Sequence, residues 1–105
     1  MLCSFFMTRI RIVVDVVDQL GRRWVIMIED GSTADVYVYS ALGSKHYYAD
    51  RSFEADELHL LLYDDDGKRS VVGTVVVDLS KGEVEFEEEG ERNMGKLEKL
   101  RDFFV

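Results

Sequence analysis

The residues best equipped to do chemistry stand together at Asp64-Asp65-Asp66, followed by Gly67. Hard divalent cations are held by several carboxylate oxygens, so this run is the one metal candidate, with Asp18, Asp30 or Asp35 as further carboxylates. The spacing is not that of an EF-hand loop, because Leu62 stands where the first aspartate would fall. A hairpin loop of aspartate and glycine also turns without any metal. No metal and no cofactor is therefore expected. His46 and His59 are the only histidines. His59 falls between Leu58 and Leu60 on the outer face of a strand, an ordinary place for a solvated or hydrogen-bonded imidazole. Ser44 near His46, or Asp64 near His59, are fragments of a triad only on paper, since strand neighbours point to opposite faces. Cys3 is the sole cysteine and has no Cys/His cluster around it, which removes disulfide, structural zinc and iron–sulfur readings. No nucleophile elbow and no glycine-rich phosphate loop occurs. The chain reads as a non-enzyme.

The elements that would position these residues are strands. Val71 to Leu79, VVGTVVVDL, is rich in valines that are stiff at χ1 and suit a pleated surface. Ser80-Lys81-Gly82 turns it into Glu83 to Glu88, where Val84 and Phe86 alternate with Glu83, Glu85 and Glu87. Before this hairpin, alternation marks Thr8–Val17 (Ile10, Ile12, Val14 and Val16 on one face), Arg22–Glu29 (Trp24, Ile26, Ile28) and Asp35–Ser40 (Val36, Val38). Asp30-Gly31-Ser32 is a turn between the last two. A weaker strand follows at Lys45–Ala49, then an irregular stretch Asp50–Asp56, then Glu57–Tyr63 with Leu58, Leu60 and Leu62 inward. After Gly90 the period changes. Met94, Leu97, Leu100 and Phe104 recur every three or four residues, the stripe of an amphipathic helix over 91–103.

The fold class expected is therefore mainly β with one C-terminal α-helix. About seven antiparallel strands form a meander, since short turns exclude parallel crossovers, and they close as a small barrel or as two packed sheets. A seven-stranded barrel plugged by a C-terminal helix is similar in element order to pleckstrin-homology-like domains. The segment LHLLLYDDDG with VVGTVVVDL also resembles the third-loop strand pair of C2 domains, a resemblance that implies calcium at Asp64, Asp65 and Asp66. At 105 residues there is room for one domain, 8–105, preceded by a poorly ordered extension over 1–7 in which Met7 is an alternative start.

Composition narrows the setting. One Gln (Gln19) and one Asn (Asn93) beside 32% charged residues is a thermophile-like balance. No run approaches the roughly 18 apolar residues of a membrane span, and the N-terminus lacks the basic lead of a signal peptide. A cytoplasmic protein with no membrane partner is expected. Residues 1–53 hold six basic and six acidic side chains, whereas 54–105 hold seven and fifteen, so the whole excess of −8 lies in the second half. An acidic face repels phosphate, which disfavours nucleic acid and leaves room for a basic protein partner.

One surface stands out. Val13, Val17, Val25, Met27, Tyr37 and Tyr39 occupy the outward positions of the first three strands, where a solvated face needs no such residues. They are expected to be covered by the helix stripe of Met94, Leu97, Leu100 and Phe104, or by a second copy of the chain. The function expected is protein–protein interaction or self-assembly as a homodimer. The alternative is a nucleic-acid surface of Arg9, Arg11, Arg22, Arg23, Lys45 and Tyr47, with aromatic side chains to stack on bases.

Overall fold

In–out alternation runs through almost the whole chain, and in a computed structural model it closes a barrel of eight antiparallel strands. The structure describes residues 10–28, 32–65, 67–68 and 70–104, the side chains of 10 and 101–104 excepted. The strands are β1 (Ile10–Asp18), β2 (Arg23–Ile28), β3 (Thr33–Ser40), β4 (Gly43–Glu54), β5 (Glu57–Tyr63), β6 (Val71–Asp78), β7 (Glu83–Glu88) and β8 (Glu91–Phe104). Each pairs with its sequence neighbours, and β8 returns to pair with β1. Short turns make every pairing antiparallel, and closure removes most of the edges an open sheet would expose.

An eight-stranded barrel is just wide enough to be filled by side chains or to hold one small ligand. Here the side chains fill it. Trp24 packs on Phe86 with ring centroids 4.4 Å apart and lies parallel to Tyr47 at 6.3 Å. Branched aliphatics such as Val14, Val16, Ile26, Leu60, Val75 and Val84 close around the three rings and are all but inaccessible to solvent. Each side chain of this size contributes roughly 1.5–3 kcal/mol by leaving water. This interior holds the fold together.

The helix expected over 91–103 is instead the fourteen-residue strand β8. Its helical spacing has a local cause. Leu97 pairs with Val16 and Leu100 with Val14, so Glu98 is an extra residue at the register shift opposite Asp15 and Val16. A bulge of this kind turns a period of two into a step of three, which sequence alone cannot tell from a helical turn. Gly95 also finds its reason here. A Cβ at that position would lie 2.3 Å from the Val17 carbonyl oxygen and 2.8 Å from the Phe86 ring, so only glycine lets β8 close on β1. Without a helix the pleckstrin-homology-like element order does not apply, and the strand count rises from seven to eight.

The other differences are at boundaries. The fourth strand runs from Gly43 through Glu54, covering most of the stretch read as irregular, because Arg51 and Phe53 pair with Leu60 and Leu58 across a two-residue turn. Ala55 in that turn adopts a φ of 53°, which a two-residue hairpin requires. β3 starts at Thr33 rather than Asp35. The extension over 1–7, with Cys3, and the Asp30-Gly31 turn lie outside the described residues.

Candidate functional site

Two groups of functional side chains are built by this barrel, one outside and one at its mouth. On the outside, β1 to β4 set their outward residues in cross-strand rows. The middle row is Asp15, Val25, Tyr37 and His46, and one neighbouring row is Val13, Met27, Asp35 and Tyr48. The third is Val17, Arg23, Tyr39 and Ser44. Val25, Met27, Tyr37 and Tyr39 thus emerge opposite Trp24 and Ile26, as expected from alternation. Val13 is buried and Val17, Val25, Met27 and Tyr37 are half-buried, while Tyr39 is 46% exposed.

Polar groups are threaded through this apolar face. Arg23 Nη2 reaches the buried carboxylate of Asp15 at 3.2 Å. His46 Nε2 lies 3.0 Å from Asp35 Oδ1. Its ring stacks on Tyr37 at 4.7 Å and meets the edge of Tyr48 at 4.5 Å. Tyr37, His46 and Tyr48 thus form one aromatic ledge, with the imidazole stacked on Tyr37 and edge-on to Tyr48. His46 belongs to this face, across from Tyr37 on the neighbouring strand.

The mouth of the barrel carries the second group. Asp18 ends β1 pointing inward, with its side chain fully shielded from solvent. Its carboxylate accepts the Trp24 indole N–H at 3.0 Å, Arg22 Nε at 2.8 Å and the backbone N–H groups of Leu20 and Arg22. Arg22 Nη2 also donates to Glu88 Oε1 at 2.6 Å, and the Tyr47 hydroxyl donates to Glu88 Oε2 at 2.6 Å. Lys45 Nζ sits 4.9 Å from the centre of the Tyr47 ring. Burial alone would raise the Asp18 carboxyl, but the hydrogen bonds from Trp24 and Arg22 and the Arg22 charge outweigh it and hold the group below its ordinary value. Burial, followed by the bond to Glu88, raises the Tyr47 phenol. The bond to Tyr47 raises Lys45, aided by Glu88 and Glu89. A recess of about 260 Å³ between Arg22, Lys45, Tyr47, Glu88, Glu89 and Glu91 opens above the network.

These placements divide the nucleic-acid candidates. Arg22, Lys45 and Tyr47 belong to the mouth, with Arg22 held between two carboxylates, whereas Arg23 and Arg11 lie on the outside and Arg9 is outside the described residues. The helix stripe is also dispersed. Leu97 packs against the core, Met94 is exposed on β8, Leu100 is 52% exposed, and Phe104 is the last residue of β8. Asp64 and Asp65 lie in the β5–β6 connection, Asp66 lies outside the described residues, and no group of three metal-ligating side chains occurs among the described residues. No helix among the described residues is long and apolar enough to cross a membrane. The fold and site together define a filled, up-and-down antiparallel barrel with an aromatic outer face. Compared with known proteins, the chain matches no family model, no curated protein and no solved structure.

Proposed function

We propose that the barrel is a non-enzymatic association module that binds a second copy of itself through the outer face of β1 to β3. The observation that carries this reading is the cross-strand array of Val25, Met27, Tyr37 and Tyr39, backed by the Tyr37–His46–Tyr48 ledge. A packed interior uses the inward side chains for the fold itself, which leaves the outside to do the binding.

Charge supports a second copy as the occupant. The face belongs to the half of the sequence with no net charge, while the excess of −8 sits in residues 54–105. Two copies meeting on β1 to β3 keep their acidic halves apart, and an isologous contact needs only one self-complementary patch. Repulsion between two chains of −8 persists at long range, so added salt should tighten the pair.

Sedimentation at micromolar concentration tests the reading. A dimer is expected, strengthened between 0.05 and 0.5 M salt by roughly tenfold in Kd, an order of magnitude set by screening of the net charge. Met27→Glu or Tyr39→Glu should return it to monomer. A wild-type protein that sediments as a monomer throughout would overturn the proposal.

A further inference from the structure

The three outward rows of β1 to β4 hold two acids and one base: Asp15, Asp35 and Arg23. Arg23 Nη2 reaches Asp15 at 3.2 Å, and Lys99 of β8 pairs across from Asp15 on its other side. Asp35 stands between Met27 on β2 and Tyr48 on β4, with its side chain 49% exposed. Its ion-pair partner among the described residues is His46, Nε2 to Oδ1 at 3.0 Å. An imidazole takes up or releases its proton near pH 6.5. His46 therefore cancels the Asp35 charge in one protonation state and leaves it standing in the other.

We infer that self-association through this face is coupled to protonation of His46, so that the dimer tightens as the pH falls from 8 to 6. The inference rests on the face contact proposed above and supplies its regulation. Asp35 is inside that contact, next to Met27 and two residues from Tyr37 on the same strand.

Three observations favour an imidazolium in the contact. A second copy seated on Met27 and Tyr37 takes water away from Asp35, and a carboxylate that leaves water needs a cation beside it. The imidazolium is already at hydrogen-bond distance, where a charged donor binds a carboxylate more strongly than a neutral one. Tyr37 is stacked on the same ring at 4.7 Å, and the face of an aromatic ring attracts a cation. The remaining neighbours leave this couple to itself. On its own strand His46 is flanked outward by Ser44 and Tyr48, while Lys45 sits over the inward Tyr47 ring. Beyond β4, Tyr63 ends β5 opposite Tyr48, and the exposed Asp64 follows it. The other histidine, His59, lies on β5 with Glu54 and Glu57. A two-fold pair contains the His46–Asp35 couple twice, so two protons are linked to one association.

Sedimentation of the full-length protein at pH 6, 7 and 8 tests the coupling, in 0.5 M salt so that the net charge is screened. The dimer should be at least about tenfold tighter at pH 6 than at pH 8, since each linked proton contributes up to about tenfold per pH unit. Asp35→Asn should bind at pH 8 as tightly as wild type does at pH 6, and should lose the pH dependence. His46→Gln, which keeps an amide beside Asp35 but takes up no proton, should lose it too. His59→Gln should keep it. A wild-type dimer with the same Kd at pH 6 and pH 8 overturns the coupling while leaving the face contact standing. So does a wild-type pH dependence that survives in Asp35→Asn or His46→Gln, or that disappears in His59→Gln. A protein that is monomeric at every pH overturns both the coupling and the face contact.

Discussion

The same four strands present two unlike surfaces, and the contrast explains why one builds the protein and the other is free to bind. On the inside of β1 to β4, Val16, Trp24, Val36 and Tyr47 are buried to the last few per cent and touch partners on all sides. On the outside, one residue further along each strand, Val17, Val25, Tyr37 and Tyr48 are only half-buried. Trp24 satisfies its indole N–H on Asp18 within the barrel, whereas the His46–Tyr37 stack lies half-buried on the outer surface. A side chain that is fully enclosed has spent its binding capacity on the fold. One that is half-enclosed has not.

If the inside holds the fold, changes there should be costly and changes outside cheap. The largest effect is expected from Trp24→Ala. Removing the ring leaves Phe86 and Tyr47 facing a void at the barrel centre, and buried Trp or Phe to Ala changes cost about 3–5 kcal/mol. Urea unfolding should show this as a lower midpoint with an unchanged slope. A loss under 1 kcal/mol would mean that the interior is not the packed element described.

Asp18→Asn comes next, at about 2–4 kcal/mol, because it leaves Arg22 with half its partners and removes charge-assisted bonds to Trp24 and two backbone amides. The pH dependence has a definite sign. The native Asp18 carboxyl titrates below its ordinary value, so its contribution is fully present above the unfolded aspartate pKa of about 3.9. It fades as pH falls from there through the lower native value. The urea midpoints of wild type and Asp18→Asn should thus differ widely at pH 7 and converge toward pH 2. A gap that held constant down to pH 2 would show that the carboxylate charge is not what stabilises the mouth.

Much of this was legible in the residues. Alternation through β2, β5 and β7 fixes both face and register, since a one-residue slip would expose Trp24 and Phe86. The mouth escaped the sequence reading, which placed Arg22, Lys45 and Tyr47 on a nucleic-acid surface, although a signal for it exists. Counting back by two from Trp24 points Arg22 inward, and counting on by two from Phe86 points Glu88 inward, so a partly buried arginine finds a carboxylate at that end. What the residues did not reveal is β8. Its bulge at Glu98 imitates a helical step, and Gly95 weakens a helix but is required by the close approach of β1 and β8. Strand identity there depends on β7 and β1 each needing a partner, which is a property of the closed sheet and not of residues 91–104.

Gly95→Ala examines that closure. The added methyl would meet backbone atoms of Val17 and Asp18 as well as the Phe86 ring, and backbone cannot move aside as a flexible side chain can. Overpacking of this kind costs about 1–3 kcal/mol. The strain should also open the β1–β8 seam, so amide exchange in β1 and β8 should rise more than exchange in β4 and β5. Equal acceleration everywhere would indicate simple global destabilisation and would count against the seam as a separable element.

Tyr39→Glu should have the smallest effect on the folded monomer, and for that reason it separates the two surfaces most sharply. Tyr39 is 46% exposed at the corner of the outer face, across from Arg23 on β2. A glutamate there faces an arginine that is itself 60% exposed, and exposed pairs of this kind are worth at most about 1 kcal/mol. The urea midpoint of the dilute protein should therefore move by no more than the equivalent of about 0.5 kcal/mol. The same change puts a desolvated carboxylate in the proposed contact, and two-fold symmetry doubles the penalty. Sedimentation should consequently lose the dimer while stability barely moves. If Tyr39→Glu instead destabilises the monomer as much as Gly95→Ala does, the outer face is part of the fold and the division between the two sides of the sheet fails.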